Sequence, residues 1–497
     1  MPNDFIWKVK VAARLHDPAE KALVLLRDPA GHENGTSLAL ARLLGFFKTD
    51  TATITPDNEK ALATVAFRKG IPQEIYRIIQ RADHWAAAAD RPQWPMEQIP
   101  TGGAVFKIAD WAQVRWANQP ELIHPLSGEV ISLRGGLSET ELADIKDRSL
   151  SHFKKLLEAL GAGEDDGCDW RKVALALWRF GPEIVEAAGH GKLGELWKLL
   201  PADTRVPDHT IWDHLDLVSA FAGAFAEGGG EPALLVLSIG PVQSFIAAAR
   251  KVDDLWAGSH LLSRLSWEAS KPVCEQFGPD AIRFPRLRGI PQVDLWLRDE
   301  AGLPAELFKE CGWRDKSPDE NPLFAATLPN RFVAVVPQER VEETAERCRE
   351  NVRRWLLELG LRVVDRLLEA AGIREKDAPR EESIIAYQQM RKQLEGFPEV
   401  HWAAAPFSLV AENQKALDVT ALAAAMEPFY GKRESGFLAS SAWKALSREV
   451  DLPDGTAFYT PKPGVVYPAI FELAERLLAA AKSVRAFEQE RQEGWRC

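Results

Sequence analysis

Three separated groups of histidine and aspartate could share one chemistry in this chain. They are His16-Asp17 in LHDPAEK, Asp83-His84 and Asp90 in RADHWAAAADRP, and His209 and His214 in PDHTIWDHL, where Asp208 and Asp213 precede each histidine. An imidazole nitrogen and a carboxylate oxygen at consecutive positions can both reach a divalent metal, which then acidifies a bound water; this is the chemistry of metal-dependent hydrolysis. Asp83 and Asp90 are two helical turns apart and so share a face. Inside one helical region, the three groups have the form of a site assembled from several helices. The same residues also suit plain structural roles: His16-Asp17 as a solvated turn on the first helix before Pro18, His209 capping a turn, and Asp90-Arg91 as a local ion pair. His32, His124, His152, His190 and His260 have no partner of the right type nearby in sequence and read as surface, turn or packing residues.

A second candidate lies at Gly240-Pro241, where an apolar β run turns into a helix. Glycine permits close backbone approach, proline suits the first helical position, and the N–H groups that follow can face a phosphate or a base edge. A strand-to-helix junction with no ligand would use the same residues. Asp253-Asp254, between Lys251 and Trp256, fall within a predicted helix. Two-metal nucleotidyl chemistry needs paired carboxylates on a strand or its hairpin, so these two read as helix-face residues. The 17 tryptophans are dispersed, and Trp85, Trp178, Trp197, Trp256 and Trp267 fall on apolar helical faces that predict core packing.

The elements that must hold these residues divide in two. Residues 1–226 read as mostly helical, with apolar residues at helical spacing over 9–26, 37–47, 74–89, 139–160 and 170–188, and turn-rich pieces at 92–103 and 124–136 between them. Glu227-Gly-Gly-Gly-Glu-Pro232 reads as a linker. Over 233–410 the pattern alternates: strands at 234–239, 281–285, 331–337 and 400–406, a helix over 241–277 with a break near Gly258, and a long amphipathic helix over 339–371. That order is βαββαβ, the ferredoxin-like topology, with extra segments between the second and third strands and before the fourth. Residues 411–497 read as helical, closing with 467–493. The class is α+β.

The 497 residues are enough for two to four domains with their own cores. A net charge of −11 argues against a protein that coats nucleic acid by bulk electrostatics, although Arg283, Arg286 and Arg288 form a local basic cluster. No run of 18 apolar residues is present, and MPNDFIWKVK has no signal-peptide core, so a cytoplasmic protein with no membrane span is expected. Five scattered cysteines, Cys168, Cys274, Cys311, Cys348 and Cys497, compose neither a disulfide framework nor a complete zinc site.

Residues 234–263 read LLVLSIGPVQSFIAAARKVDDLWAGSHLLS. This phrase resembles the large subunit of type III-B CRISPR effector complexes, the CRISPR-associated protein ten family in its Cmr branch. HDPAEK, ADH…ADRP and PADTRVPDHTIWDHL resemble phrases of that family's N-terminal histidine-aspartate (HD) nuclease domain. The resemblance implies an all-α HD domain over 1–226, a first polymerase-like palm over 233–410 and a helical segment over 411–497. By it, His16 and Asp17 are catalytic, and His16, Asp17, Asp90 and His214 are metal ligands with His84, Asp83 and His209 as substitutes. The metal would be manganese, nickel or magnesium. Ser238, Gly240, Gln243 and Ser244 would contact ATP. Gly494-Trp-Arg-Cys497 resembles the start of a Cys-x-x-Cys zinc element, so zinc is expected only if the chain continues past Cys497, and a Gly-Gly-Asp-Asp second palm would follow. Without that palm, no cyclic oligoadenylate synthesis is expected from this chain alone. The implied partners are other Cmr subunits, CRISPR RNA and target RNA, with single-stranded DNA as substrate. Two other readings fit: an inactive scaffold subunit of the same complex, or a stand-alone HD phosphohydrolase.

Overall fold

The structure is a computed structural model that describes residues 4–23, 36–46, 72–90, 96–98, 106–108, 121–123, 130–132, 139–162, 168–183, 197–202, 209–227, 230–314, 321–413, 415–430, 436–451 and 457–484. The first part of the chain contributes α1 (Asp4–Leu15), α2 (Thr36–Leu43), α3 (Gln73–Asp90), strands β1 (Met96–Gln98) to β4 (Val130–Ser132), α4 (Glu139–Ala159), α5 (Trp170–Phe180) and α6 (Ile211–Ala226). Met96–Gln98 pairs with Phe106–Ile108, and Glu121–Ile123 with Val130–Ser132, as two-stranded antiparallel ribbons. The expected all-α region is therefore mostly helical with ribbons set in its turn-rich pieces. Three-residue strands are too short to carry a period-2 signal.

Helix α6 is the hub of this region. Thr210 caps it, its hydroxyl accepting from Asp213 N at 3.1 Å and donating to Asp213 Oδ2 at 2.6 Å. Apart from Asp213, every residue of α6 is buried, as expected of a helix that is apolar nearly all round. It packs against α1 and α3 on one side and against the sheet on the other. Trp85 of α3 meets the rings of Phe221, Phe225 and Phe407 at 5.1–5.7 Å, which joins α3 to α6 and to the sheet.

The sheet region contributes β5 (Pro232–Gly240), α7 (Gln243–Ala247), α8 (Val252–Phe277), β6 (Ile282–Phe284), α9 (Pro291–Asp299), β7 (Arg331–Pro337), α10 (Val341–Ala370), α11 (Ile385–Leu394) and β8 (Glu399–Pro406). The strand order is β6-β7-β5-β8, with every neighbouring pair antiparallel, which is the arrangement a βαββαβ chain makes. The predicted break near Gly258 falls earlier, at 248–251, and α8 runs unbroken through Gly258. Helix α7 starts at Gln243, so Pro241 precedes the helix and does not occupy its first position.

The remainder adds β9 (Ala411–Asn413), β10 (Ala416–Asp418), α12 (Thr420–Tyr430), α13 (Ser441–Leu446), β11 (Val450–Asp451), β12 (Ala457–Tyr459) and α14 (Tyr467–Ser483). The expected helical segment thus contains two small antiparallel strand pairs as well. Gly464, just before α14, runs against the α3 backbone: a Cβ there would lie 1.8 Å from the Trp85 carbonyl oxygen, so only glycine allows this approach. One apolar core runs continuously from α1 through the sheet to α14. Trp85, Trp178, Trp197 and Trp267 belong to it. Trp256 does not; it is 50% exposed and stacks on His260.

Candidate metal centre

Pro18 disfavours helical backbone at Asp17, so α1 stops at Leu15 and His16-Asp17 form the turn beyond it, not a part of the helix. His16 turns back on that helix end, its Nδ1 2.6 Å from the Ala13 carbonyl oxygen. A carbonyl can only accept, so Nδ1 carries the proton and Nε2 of the neutral ring keeps its lone pair. That Nε2 is buried and makes no hydrogen bond. It faces Asp17 Oδ2 at 3.4 Å and Asp83 Oδ1 at 3.6 Å.

His214, in the first turn of α6, is wholly buried. Its Nε2, also without a hydrogen bond, lies 3.3 Å from Asp83 Oδ1 and 3.8 Å from Asp17 Oδ2. Its Nδ1 is 3.0 Å from Asp90 Oδ2. The two imidazoles sit 5.9 Å apart, centroid to centroid. The turn after α1, the face of α3 and the start of α6 thus bring His16, Asp17, Asp83 and His214 together. Asp90 and His209, whose Nε2 is 3.9 Å from Asp90 Oδ2, lie on the other edge of the His214 ring. His84, one residue on from Asp83 and so about 100° around the helix, is exposed and outside the cluster. Asp208, Arg91, His32, His124, His190 and Cys497 lie outside the described residues. His152 and His260 each bond a backbone carbonyl, that of Phe180 and that of Leu323.

Burial alone would raise the Asp17 carboxyl, but the Lys21 ammonium 2.6 Å away, together with His16 and His214, outweighs it and holds Asp17 well below the usual carboxylate range. Asp83 is likewise held far down, because the two imidazoles beside it outweigh its own burial. For His16, burial pushes the pKa down, yet Asp17 and Asp83 together reverse this and the net shift is upward. Two unbonded imidazole nitrogens and two ionised carboxylates at 3.3–3.8 Å are too far apart to hydrogen-bond well. They lie at or a few tenths of an ångström beyond the spacing of about 3 to 3.5 Å between ligands that each stand about 2.0 to 2.2 Å from one ion. The donor set therefore fits a divalent metal of the imidazole- and carboxylate-binding kind. Lys21 also joins this cluster, and its i+4 spacing from Asp17 is the sequence signal for it.

A cleft of about 470 Å³ opens where β5 ends, lined by Ser238, Gly240, Gln243 and Ser244, the four residues singled out in the sequence. Asn330, Glu399, His401 and Lys482 complete it from three other elements, and nothing in their local sequence marks them. Lys482 Nζ donates to Ser238 Oγ at 2.7 Å. Burial and Arg331 push its ammonium pKa down. Asp253 and Asp254 sit exposed in the first turn of α8, away from this cleft. The basic cluster is largely structural: Arg288 is buried and holds both Asp216 oxygens at 2.7 and 2.8 Å, Arg283 donates to backbone carbonyls, and only Arg286 is mostly exposed.

Among the described residues, no helix is long and apolar enough to cross a membrane. Residues 234–360 match the family described as CRISPR-associated protein Cmr2, N-terminal. The CRISPR system Cmr subunit Cmr2 of Pyrococcus furiosus is 30% identical over 309 residues, 62% of this chain and 30% of that protein. The Cmr2 subunit of Saccharolobus solfataricus is 40% identical over 90 residues, 18% of this chain and 9% of that protein. Among solved structures, the type III-B Cmr-beta complex bound to cognate target RNA has a chain similar over 96% of this one and 40% of its own length, at 17% identity and a TM-score of 0.49. The family match and the two relatives make this chain similar to one class of protein, the subunits of CRISPR Cmr systems. Within it the chain is related to the large subunit, Cmr2, and its matches span less than a third of the length of those two Cmr2 proteins.

Proposed function

We propose that this chain provides the nuclease part of a type III-B CRISPR large subunit: a helical HD domain over 1–226 that cuts single-stranded DNA with a divalent metal, followed by a ferredoxin-like palm over 233–410. The observation that carries this reading is the meeting of His16, Asp17 and His214 in one group, with both Nε2 atoms unbonded and the partly exposed Asp83 of α3 3.6 and 3.3 Å from them. Manganese, nickel or magnesium held there would polarise a phosphodiester oxygen and acidify a water. The chain's own residues supply the rest. The Ala13 carbonyl and the Thr210 cap fix the two imidazoles, and Lys21 keeps Asp17 ionised. Asp17→Ala should reduce metal-dependent cleavage of single-stranded DNA by at least about a thousandfold while circular dichroism stays unchanged. Undiminished cleavage would assign the activity elsewhere.

In this reading the sheet-end cleft is one half of an ATP site. Joining ATP molecules needs paired carboxylates, and Glu399 is the single acidic residue among those lining the cleft. The chain by itself should therefore yield no cyclic oligoadenylate by mass spectrometry when incubated with ATP and manganese, and robust product would sink the half-site reading. Other Cmr subunits, CRISPR RNA and target RNA are the expected partners, in the cytoplasm.

A further inference from the structure

The two edges of the His214 ring face different carboxylates. Nε2 looks toward Asp83 and Asp17, whereas Nδ1 lies 3.0 Å from Asp90 Oδ2. The lone-pair directions of the two ring nitrogens diverge from opposite sides of an imidazole, so one ion cannot engage both, and a carboxylate bonded to Nδ1 is turned away from an ion on Nε2. We propose that Asp90 is a positioning residue and not a ligand: it accepts the Nδ1–H of His214, fixes the tautomer with a bare Nε2, and leaves Asp83 as the carboxylate of α3 that completes the ligand set. The inference rests on the metal-centre reading above and makes it more specific.

The two histidines are built alike, and this supports the assignment independently of the 3.0 Å contact. His16 Nδ1–H is held by a carbonyl that can only accept, and its Nε2 is buried without a hydrogen bond. His214 has the same unbonded Nε2, and Asp90 stands where the Ala13 carbonyl stands for His16. The His214 backbone is fixed in the first turn of a capped, buried helix, so its ring has little room to swing and its tautomer is the remaining freedom. Placement on α3 separates the roles. Asp83 and Asp90, two turns or about 10 Å apart along α3, approach His214 from opposite ring edges, Asp83 at Nε2 and Asp90 at Nδ1. A fixed imidazole tautomer backed by a carboxylate is the usual way in which outer groups tune a metal-binding histidine.

The test uses the full chain with Asp90→Ala, Asp90→Asn and Asp83→Asn, read in two ways. In metal-free protein labelled with ¹⁵N-histidine, the ring nitrogens of His214 should report a protonated Nδ1. Asp90→Ala should move the proton to Nε2, and Asp90→Asn should keep it on Nδ1, because an amide oxygen still accepts. Manganese affinity, followed by electron paramagnetic resonance, should fall about 10- to 100-fold in Asp90→Ala, stay within about threefold of the parent in Asp90→Asn, and fall at least as far in Asp83→Asn as in Asp90→Ala. Loss in Asp90→Asn equal to that in Asp90→Ala, with the tautomer unchanged, would make Asp90 a ligand and overturn the proposal. Parental affinity and tautomer in Asp90→Ala would overturn it as well. If Asp90→Ala does not fold, the asparagine variant alone decides between the two roles. If the parent binds no manganese, the metal-centre reading fails, and the tautomer of the metal-free protein still decides the part played by Asp90.

Discussion

Helix α1 and the turn just beyond it carry two largely buried polar clusters, and they are built on opposite plans. At Lys10 and Arg14, each carboxylate is matched with two cations: Lys10 Nζ lies 2.8 Å from Asp280, Arg14 bridges Asp216 and Asp280 at 2.9 and 3.2 Å, and Arg288 holds Asp216 at 2.7 Å. This cluster joins the helical region to the sheet region and closes on itself. At His16, just past the same helix, two imidazole nitrogens and two carboxylate oxygens face one another at 3.3–3.8 Å, with Lys21 the nearest cation. The lesson is that burial and charge alone do not mark a site. In the first cluster every carboxylate is held by the chain's own cations, whereas in the second two unbonded imidazole nitrogens face the carboxylates at a spacing that one divalent cation could use.

The largest effects should separate the two clusters. Asp280→Ala strands Lys10 and Arg14 in the interior and should cost about 3 to 5 kcal/mol in denaturant unfolding, with no effect on metal affinity. Manganese at a hundred times its Kd should stabilise the parent chain by about 2.7 kcal/mol, and this gain should vanish in Asp83→Asn, as read by thermal unfolding with and without chelator. If Asp280→Ala instead weakened metal binding as strongly as Asp83→Asn, the two clusters would be one coupled network and the contrast would collapse.

Acid should act on the matched cluster in a defined window. Burial would raise the Asp280 carboxyl, but Lys10 and Arg14 overcome this and hold it at about 2 against an unfolded value of 3.8. A depressed carboxylate contributes stability that is fully present above the unfolded pKa and lost as pH falls through the folded one. The parent should therefore lose roughly 2 kcal/mol between about pH 4 and pH 2 from this group alone, and Asp280→Asn should flatten that part of the profile. A profile in the variant as steep as the parent's would remove Asp280 as its source.

The strand-to-helix phrase at 234–263 and the alternating strands made the sheet region legible, because long apolar β runs and a 30-residue amphipathic helix carry strong periodic signals. The HD groups were legible as a set. Their division into roles was not: sequence spacing puts Asp83 and Asp90 on one face without saying which ring nitrogen of His214 each will meet, since that depends on how α3 and α6 cross. Glu399, His401 and Lys482 come to the cleft from distant elements, and only tertiary structure reveals them. Trp256 shows the limit of face-counting. The apolar stripe of α8 continues past the core, and the ring at its exposed end looks in sequence like those inside.

The smallest effect tests that last point. Trp85→Ala should cost about 3 to 5 kcal/mol, because it empties the aromatic contact between α3, α6 and the sheet and leaves a cavity. Trp256→Ala, half exposed, should cost under about 1 kcal/mol in the same urea titration. Equal losses would mean that the end of α8 is covered in solution.

The most direct test of the central claim is anomalous diffraction from crystals of the parent chain grown with manganese. The account predicts one strong peak about 2.0 to 2.6 Å from His16 Nε2, Asp17 Oδ2, Asp83 Oδ1 and His214 Nε2, with Asp90 outside that shell. An absence of density there, or a peak bound through Asp90 and His209 with the His16 cluster unchanged, would contradict it.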